Sequence, residues 1–484
     1  MTMDCKEQFR EYTKDRISDL PDDVLSYILS KLTIKDLLKT RILSKRWLNL
    51  WESRRNLNFD IPNMFGSARE MLNFNTLPDM PESNTKELVM QRVRNEFVRR
   101  VDQFIQHFQG EKIDSFRLAF DLPAEHINAN MDRWLSVAVA KGVEGIDLLF
   151  SNKPHFIDDR KISVKEYEFP FNLFSESDGP TLRHLSLKSS ILDHPPPDFD
   201  FVRFRNLRSL VLEETTLPDD FPACLLSRCS FLEELSLRYC YFTNRTSIIV
   251  GPSLRSLEII ILPYGVKFHI SASNITYLKY SGALSDISFI EAPQLITSYF
   301  HAFYEREIPC VLPQFANFIR LENLALSFML YKVVSLQRSS SSLKNLKQLD
   351  LFIERPEWQK FDPFWILNIL RACPLLQKFS LMFLRPKPCV NMREESDPGA
   401  FTHNKLKVIE IGGCVGNWYE AEFVKYLVKH VKALESITLS PFWRDYGKSE
   451  MGDADISSWV QSGREMVRGI LREEVSEQTH LRLL

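Results

Sequence analysis

The hydrophobic pattern L-x-x-L-x-L recurs along most of this chain. Clear copies are LRHLSL, LRSLVL, LEELSL and LRSLEI, opening at Leu182, Leu207, Leu232 and Leu254. Related hexads open at Ile113, Val143, Ile275, Leu321, Leu346, Leu376, Leu406 and Leu434, and a poor one, LITSYF, opens at Leu295. Each hexad predicts a short β-strand, because alternate side chains of a strand point to opposite faces. In LEELSL, Leu235 and Leu237 would face a core and Ser236 the other side. The starts lie 20 to 39 residues apart. One such unit cannot bury its apolar face, but a stack of them can. Between the hexads, 132–141, 361–372 and 421–431 read as helices. His194–Asp198, with three prolines, and Ser339–Ser342 read as loops.

Upstream the periodicity changes from two to about 3.6. Leu20–Trp51 reads LPDDVLSYILSKLTIKDLLKTRILSKRWLNLW and predicts three short helices. Pro21 suits a first helical position, and Asp22 and Asp23 suit the positive end of the helix dipole. Val24, Leu25, Ile28, Leu29 and Leu32 then share a face. Thr33-x-x-Asp36 has capping-box spacing, and Ser44 can cap a third helix carrying Trp47, Leu50 and Trp51. Arg41, Lys45 and Arg46 are expected to be solvated. A segment this short cannot hide so many apolar side chains within itself. It must bind a partner or cap the stack. Residues 61–85 read as a loop, and Glu87–Phe108 as an amphipathic helix with Val93, Phe97, Val101, Phe104, Ile105 and Phe108 on its buried stripe.

Composition narrows the class. A net charge of −2 in 484 residues argues against a nucleic-acid or membrane-surface partner. The charged start MTMDCKEQFR has no secretory apolar core, and Ile259–Leu262 is too short a run to span a bilayer. The eight cysteines lack disulfide-scaffold spacing, which points to the cytosol or nucleus. Cys229 and Cys373 sit at equivalent places before a hexad and should be small buried residues.

Leu20-Pro21, the spaced aliphatics, LSKRW from Leu43 to Trp47 and then Leu50-Trp51 resemble the plant F-box motif. The hexads and their spacing resemble leucine-rich repeats. NKLKVIEIGGCVGNWYEAEFVKYLVKHVKALESITL, from Asn404 to Leu439, is similar to the FBD region that closes many plant F-box/leucine-rich-repeat proteins. The expected closing strand is reduced to His480–Leu484. The resulting fold class is α/β: a three-helix F-box, then an irregular leucine-rich-repeat solenoid of parallel strands with helical or loop returns, ending in an FBD-like region. The expected limits are 1–60 for the F-box, 61–86 for a linker, 87–400 for the solenoid with its capping helix, and 401–484 for the FBD-like region.

The resemblance implies a non-catalytic substrate-recognition subunit of an SCF-type ubiquitin ligase. The F-box would bind a Skp-type adaptor, and through it a cullin/RING ligase, while the repeats hold a target protein. Leu20, Pro21, Ile28, Leu29, Leu32, Leu43, Trp47 and Trp51 are assigned to the adaptor contact or to the helix packing that shapes it. The alternative is a non-degradative scaffold or small-ligand receptor that uses the F-box only for partner binding.

Motifs for chemistry are missing: there is no phosphate loop, HExxH or CxxC. Gly412, Gly413 and Gly416 lack nucleotide-site spacing and read as a turn. His184 and His430 cannot be paired with other groups from sequence. No cofactor and no metal are implied. A polyphosphate floor would need converging cations, whereas the outward strand positions alternate in sign. Arg208, Glu233, Glu234, Arg255, Glu258, Lys347, Asp350 and Lys378 are therefore the candidate target-binding residues on the concave face.

Overall fold

The computed structural model describes residues 17, 19–40, 46–47, 54–66, 82–120, 128–150, 167–174, 181–192, 204–218, 225–226, 228–242, 247–260, 266–302, 308–330, 342–354, 362–384, 399–441, 444–445, 448–451, 464–471 and 480–483. The chain divides into two units, 1–232 and 233–484.

The first unit begins with α1 (Asp22–Ser30) and α2 (Ile34–Thr40). It continues through β1 (Asn56–Asp60), α3 (Ile61–Phe65), α4 (Glu82–His107), β2 (Ser115–Phe120), α5 (Asn128–Ala140), β3 (Gly145–Phe150), β4 (His184–Lys188) and β5 (Ser209–Glu213). Strands β1 to β5 pair in parallel in chain order. The second unit carries β6 (Glu234–Arg238), β7 (Ser256–Ile260), β8 (Tyr277–Gly282), β9 (Thr297–Ala302), β10 (Asn323–Met329), β11 (Gln348–Glu354), β12 (Lys378–Leu384), β13 (Val408–Gly412), β14 (Ser436–Leu439) and β15 (His480–Leu483). These too pair in parallel and in order.

All thirteen predicted strands form, each starting two residues after its opening anchor. The reason is visible at β6, where Leu235 and Leu237 are buried while Glu234 is exposed. The anchor Leu232 is also buried, so one hexad contributes three apolar side chains to the interior. Even LITSYF pairs, although Ser298 stands in the leucine column between Leu278 and Leu324. The residue just before each strand has its own role. The Glu233 carbonyl accepts from Arg255 N and Ser256 N at 2.8 and 3.0 Å, and the Lys347 carbonyl from Gln377 N and Lys378 N at 2.8 and 3.0 Å. These paired bonds lock one repeat to the next and satisfy the backbone where the strand begins.

Several expectations need correction. Pro21 is the N-cap and not the first helical residue, with α1 starting at Asp22. Residues 61–65, read as loop, form α3, because Asp60 caps it by accepting from Asn63 N at 2.8 Å and Pro62 suits its first turn. β1 was not foreseen. Its Leu57 and Phe59 are buried like hexad leucines, but Arg54 stands where the opening anchor belongs. The return segments also include strands: Ser247–Val250, Lys267–Ser271 and Ile287–Glu291 form a separate parallel sheet. Residues 194–198 and 339–341, expected as loops, lie outside the described residues.

The expected helices are present as α4, α5, a 3-10 turn (Pro363–Trp365) leading into α7 (Ile366–Arg371), and α8 (Trp418–His430), with α6 (Ile308–Phe315) preceding β10. The α4 stripe from Val93 to Phe108 is buried as the periodicity required. Its Phe104 meets Phe59 of β1 at 5.5 Å, and Phe97 meets Phe120 of β2 at 4.6 Å. Part of the chain's high phenylalanine content thus fills the space under α4. Near the C-terminus, α9 (Arg464–Leu471) precedes β15, and Arg464 donates to the Leu483 carbonyl at 2.6 Å. The closing segment therefore contributes both a helix and a paired strand.

One turn admits only glycine. Gly413 has φ +70°, and a Cβ there would collide with the Phe383 carbonyl oxygen. Gly413→Ala should lower stability by about 1–3 kcal/mol, read as a lower urea midpoint. An unchanged midpoint would contradict this close approach.

Candidate protein-interaction surfaces

The N-terminal helices are tied to the start of the array by their polar ends. Lys35 donates to the Phe65 carbonyl of α3 at 2.9 Å, and Arg54 to the Leu32 carbonyl at 3.0 Å. Arg46, expected to be solvated, donates to Asp22 at 2.7 Å and to the Leu20 carbonyl at 2.6 Å. It thereby pins the Arg46–Trp47 helical turn to the start of α1. Thr33 makes half of the predicted capping box: its hydroxyl oxygen accepts from Asp36 N at 3.1 Å. That hydroxyl also donates to the Asp36 carboxylate at 3.0 Å. The bond from Lys39 first, and then the one from the Thr33 hydroxyl, hold the Asp36 carboxyl below its ordinary value.

Burial separates the two roles that sequence left joined. Leu25, Leu29, Ile34, Leu37 and Trp47 point inward. Of the eight assigned residues, Leu29 and Trp47 are thus packing residues, Leu20 and Leu32 are half-buried, and Pro21 and Ile28 are exposed. Leu43 and Trp51 lie outside the described residues. The exposed strip of α1 consists of Val24, Tyr27 and Ile28, with Tyr27 65% exposed. Tyr27 was not among the periodic aliphatics because its spacing places it beside their face. Its i+3 spacing from Val24 was the sequence signal that puts it on this strip.

On the sheet wall, only half of the candidate residues lie where expected. Glu234, Glu258, Asp350 and Lys378 are on the strands and share their outward face. Arg208, Glu233, Arg255 and Lys347 are not on the wall. Each precedes its strand by one residue, and the carbonyls of Glu233, Arg255 and Lys347 each take two N–H groups of the next repeat. Side chains there pair along the edge, as in Glu233–Arg255 at 3.7 Å and Glu322–Lys347 at 2.8 Å. Counting outward positions from the anchor leucine overlooked that the strand starts one residue later.

The wall's charges largely answer one another. In the first unit, Lys188 pairs with Glu213 at 2.6 Å and His184 with Asp147 at 3.0 Å. In the second, Glu258 takes Arg238 at 2.5 Å and Lys279 at 3.0 Å, and the Ser236 hydroxyl donates to it at 3.0 Å. Burial pushes the Glu258 carboxyl up, but the bonds from Arg238 and Lys279 outweigh it and hold it low. Glu258 is thus a structural anion shared by three strands.

Among the described residues, the candidate groups for chemistry are engaged within the fold. The N–H groups of Val415, Gly416 and Asn417 donate to the Glu420 carboxylate at 3.2, 2.9 and 3.2 Å. The glycine-rich turn therefore holds the chain's own anion where a phosphate would sit. Full burial pushes that carboxyl up to about 7, against the pull of those backbone donors. Cys229 and Cys373 are buried as expected, and burial pushes their thiols up to about 12. His430 stacks on Tyr426 at 4.1 Å. Among the described residues, no group of His, Cys, Asp and Glu could hold a metal ion, and no helix is long and apolar enough to cross a membrane.

Comparison with known proteins agrees with this geometry. A family model for the F-box domain matches residues 17–59, and one described as At1g61320/AtMIF1, LRR domain, matches residues 105–475. An F-box/FBD/LRR-repeat protein of Arabidopsis thaliana is 29% identical over 58% of this chain and 56% of its own length. A putative F-box/FBD/LRR-repeat protein of the same plant is 28% identical over 88% of both chains. A putative FBD-associated F-box protein is 23% identical over 87% of this chain and 90% of its own.

Proposed function

The chain belongs to the plant F-box/FBD/leucine-rich-repeat family, and from that premise we propose that it is the substrate-recognition subunit of an SCF-type ubiquitin ligase. F-box proteins of this kind are generally non-catalytic adaptors. The observation that carries the reading is the strip Val24, Tyr27 and Ile28, left exposed on a helix whose other face is already packed. Isolated apolar side chains on a surface are ordinary, but three on one helical face favour a docking partner. In this reading a Skp-type adaptor covers the strip and links the chain to a cullin and its RING subunit. The repeat wall holds a target protein. The chain's contribution is proximity, raising the effective concentration of target lysines near a charged ubiquitin carrier. Its place of action is the cytosol or the nucleus.

The test is reconstitution. Full-length chain co-expressed with a Skp-type adaptor, a cullin and a RING subunit should co-purify as a four-protein complex. A chain that retains the adaptor but excludes the cullin would instead be a scaffold or receptor that uses the F-box for partner binding alone.

A further inference from the structure

The wall of the second unit changes character along its length. Between β6 and β8 its charges close on Glu258. Further on, Tyr299, Ala325, Asp350, Ser380 and Glu410 form one row across β9 to β13, as the strand register requires. In that row aromatic and acidic side chains alternate with small ones. Ala325 and Ser380 therefore leave low ground on either side of Asp350.

Among the described residues, two carboxylates in this row face one lysine. Lys378 reaches Glu410 at 3.0 Å, and the Ser380 hydroxyl donates to Glu410 at 3.4 Å. Asp350 is only 7% exposed and accepts from Gln348 Nε2 at 2.9 Å. Burial, with repulsion from Glu410, holds its carboxyl above the ordinary value despite Gln348, Ser380 and Lys378. Such a carboxyl ionises more readily in the unfolded chain. It therefore weakens the fold at pH values above its unfolded range, and the penalty fades as pH falls. Beside it, Tyr299 and Phe352 lean toward each other over the small Ala325, with ring centroids 6.3 Å apart and edge to face. Lys279 already sits 5.6 Å from the Tyr299 ring centre, so the chain itself places a cation over one face of this ring.

We propose that this patch receives a cationic side chain, arginine or lysine, from the target protein, its charge on Asp350 and Glu410 and its flank on the Tyr299–Phe352 pair. The inference rests on the reading above that the repeats hold a protein target. A carboxylate pair answered by one lysine supplies the charge complementarity, and the rings supply a face for the stem or guanidinium plane. Hydrophobic capture alone would not need an acid buried at the centre of the row.

The experiment uses the full chain in complex with its adaptor. A displayed library of random 12-residue peptides is panned on the wild-type complex, and selected peptides are then titrated against Asp350→Asn and Phe352→Ala complexes. The selected peptides should share one arginine or lysine, and which of the two prevails identifies the cation. Asp350→Asn should weaken them at least tenfold, and replacing the shared cation by glutamine should remove that difference. The Asp350→Asn complex should melt no lower than wild type, because a strained charge has been removed from the same shape. No retained peptide, peptides without a shared cation, or equal affinity for Asp350→Asn and wild type would overturn the proposal. The cullin reconstitution reads the ligase assignment separately, so the two can fail independently.

Discussion

Tyr27→Asp combined with Ile28→Asp should abolish adaptor binding while the repeats stay folded. Both side chains are exposed, 65% and 39%, on the outward face of α1. Their replacement therefore removes nothing from the interior. Truncation of anchor residues at an interface centre typically costs about 2–4 kcal/mol each, and a buried charge adds to that. A loss of about a thousandfold or more in affinity is expected, visible as loss of the adaptor from a pull-down and a titration. The control is Leu29→Ala, one residue further along the same helix but 2% exposed. It should cost about 2–5 kcal/mol of stability by leaving a cavity. It would lose the adaptor by loosening the helices, with a lowered melting temperature. If the double variant keeps wild-type affinity, the adaptor does not use this strip, and the half-buried Leu20 and Leu32 become the next residues to alter.

Leu351→Ala should unravel the middle of the second unit and spare the adaptor contact. Leu351 is fully buried and stands between Leu326 and Leu381 in the core column of β10, β11 and β12. Losing its side chain should cost about 2–5 kcal/mol. In a stacked repeat each unit is held mainly by its neighbours, so the damage stays local. Hydrogen exchange should show lost protection in β10 to β13, with protection retained in β1 to β3 and adaptor binding unchanged. Uniform loss of protection along the whole chain would mean that the array folds as one cooperative block.

The same distinction explains what the sequence alone determined. The period-two leucines fixed thirteen strands and their parallel stacking, because a strand's two faces are encoded by adjacent residues. The 3.6-residue stripe from Val93 to Phe108 fixed the capping helix for the same local reason. The first two F-box helices and the FBD-like strand–turn–helix were legible in continuous motifs, while most of the predicted third helix, Ser44 and Leu50 included, lies outside the described residues. What depended on distant partners was not. β1 became a strand because β2 offers it backbone partners and Phe104 of α4 packs on Phe59, despite Arg54 in the anchor position. Leu29 and Ile28 are adjacent in sequence and equally apolar. Only the packing of α1 decided that one is interior and the other exposed. Glu258 read as a candidate target-binding acid on the concave face, but neighbouring repeats surround it with Arg238, Ser236 and Lys279. Asp350 read as one charge among many until the register placed it beside Glu410 and the Tyr299–Phe352 pair. Alternation along one strand is a local property and can be read from the chain, whereas the company a side chain keeps across strands is set by which repeats stack together.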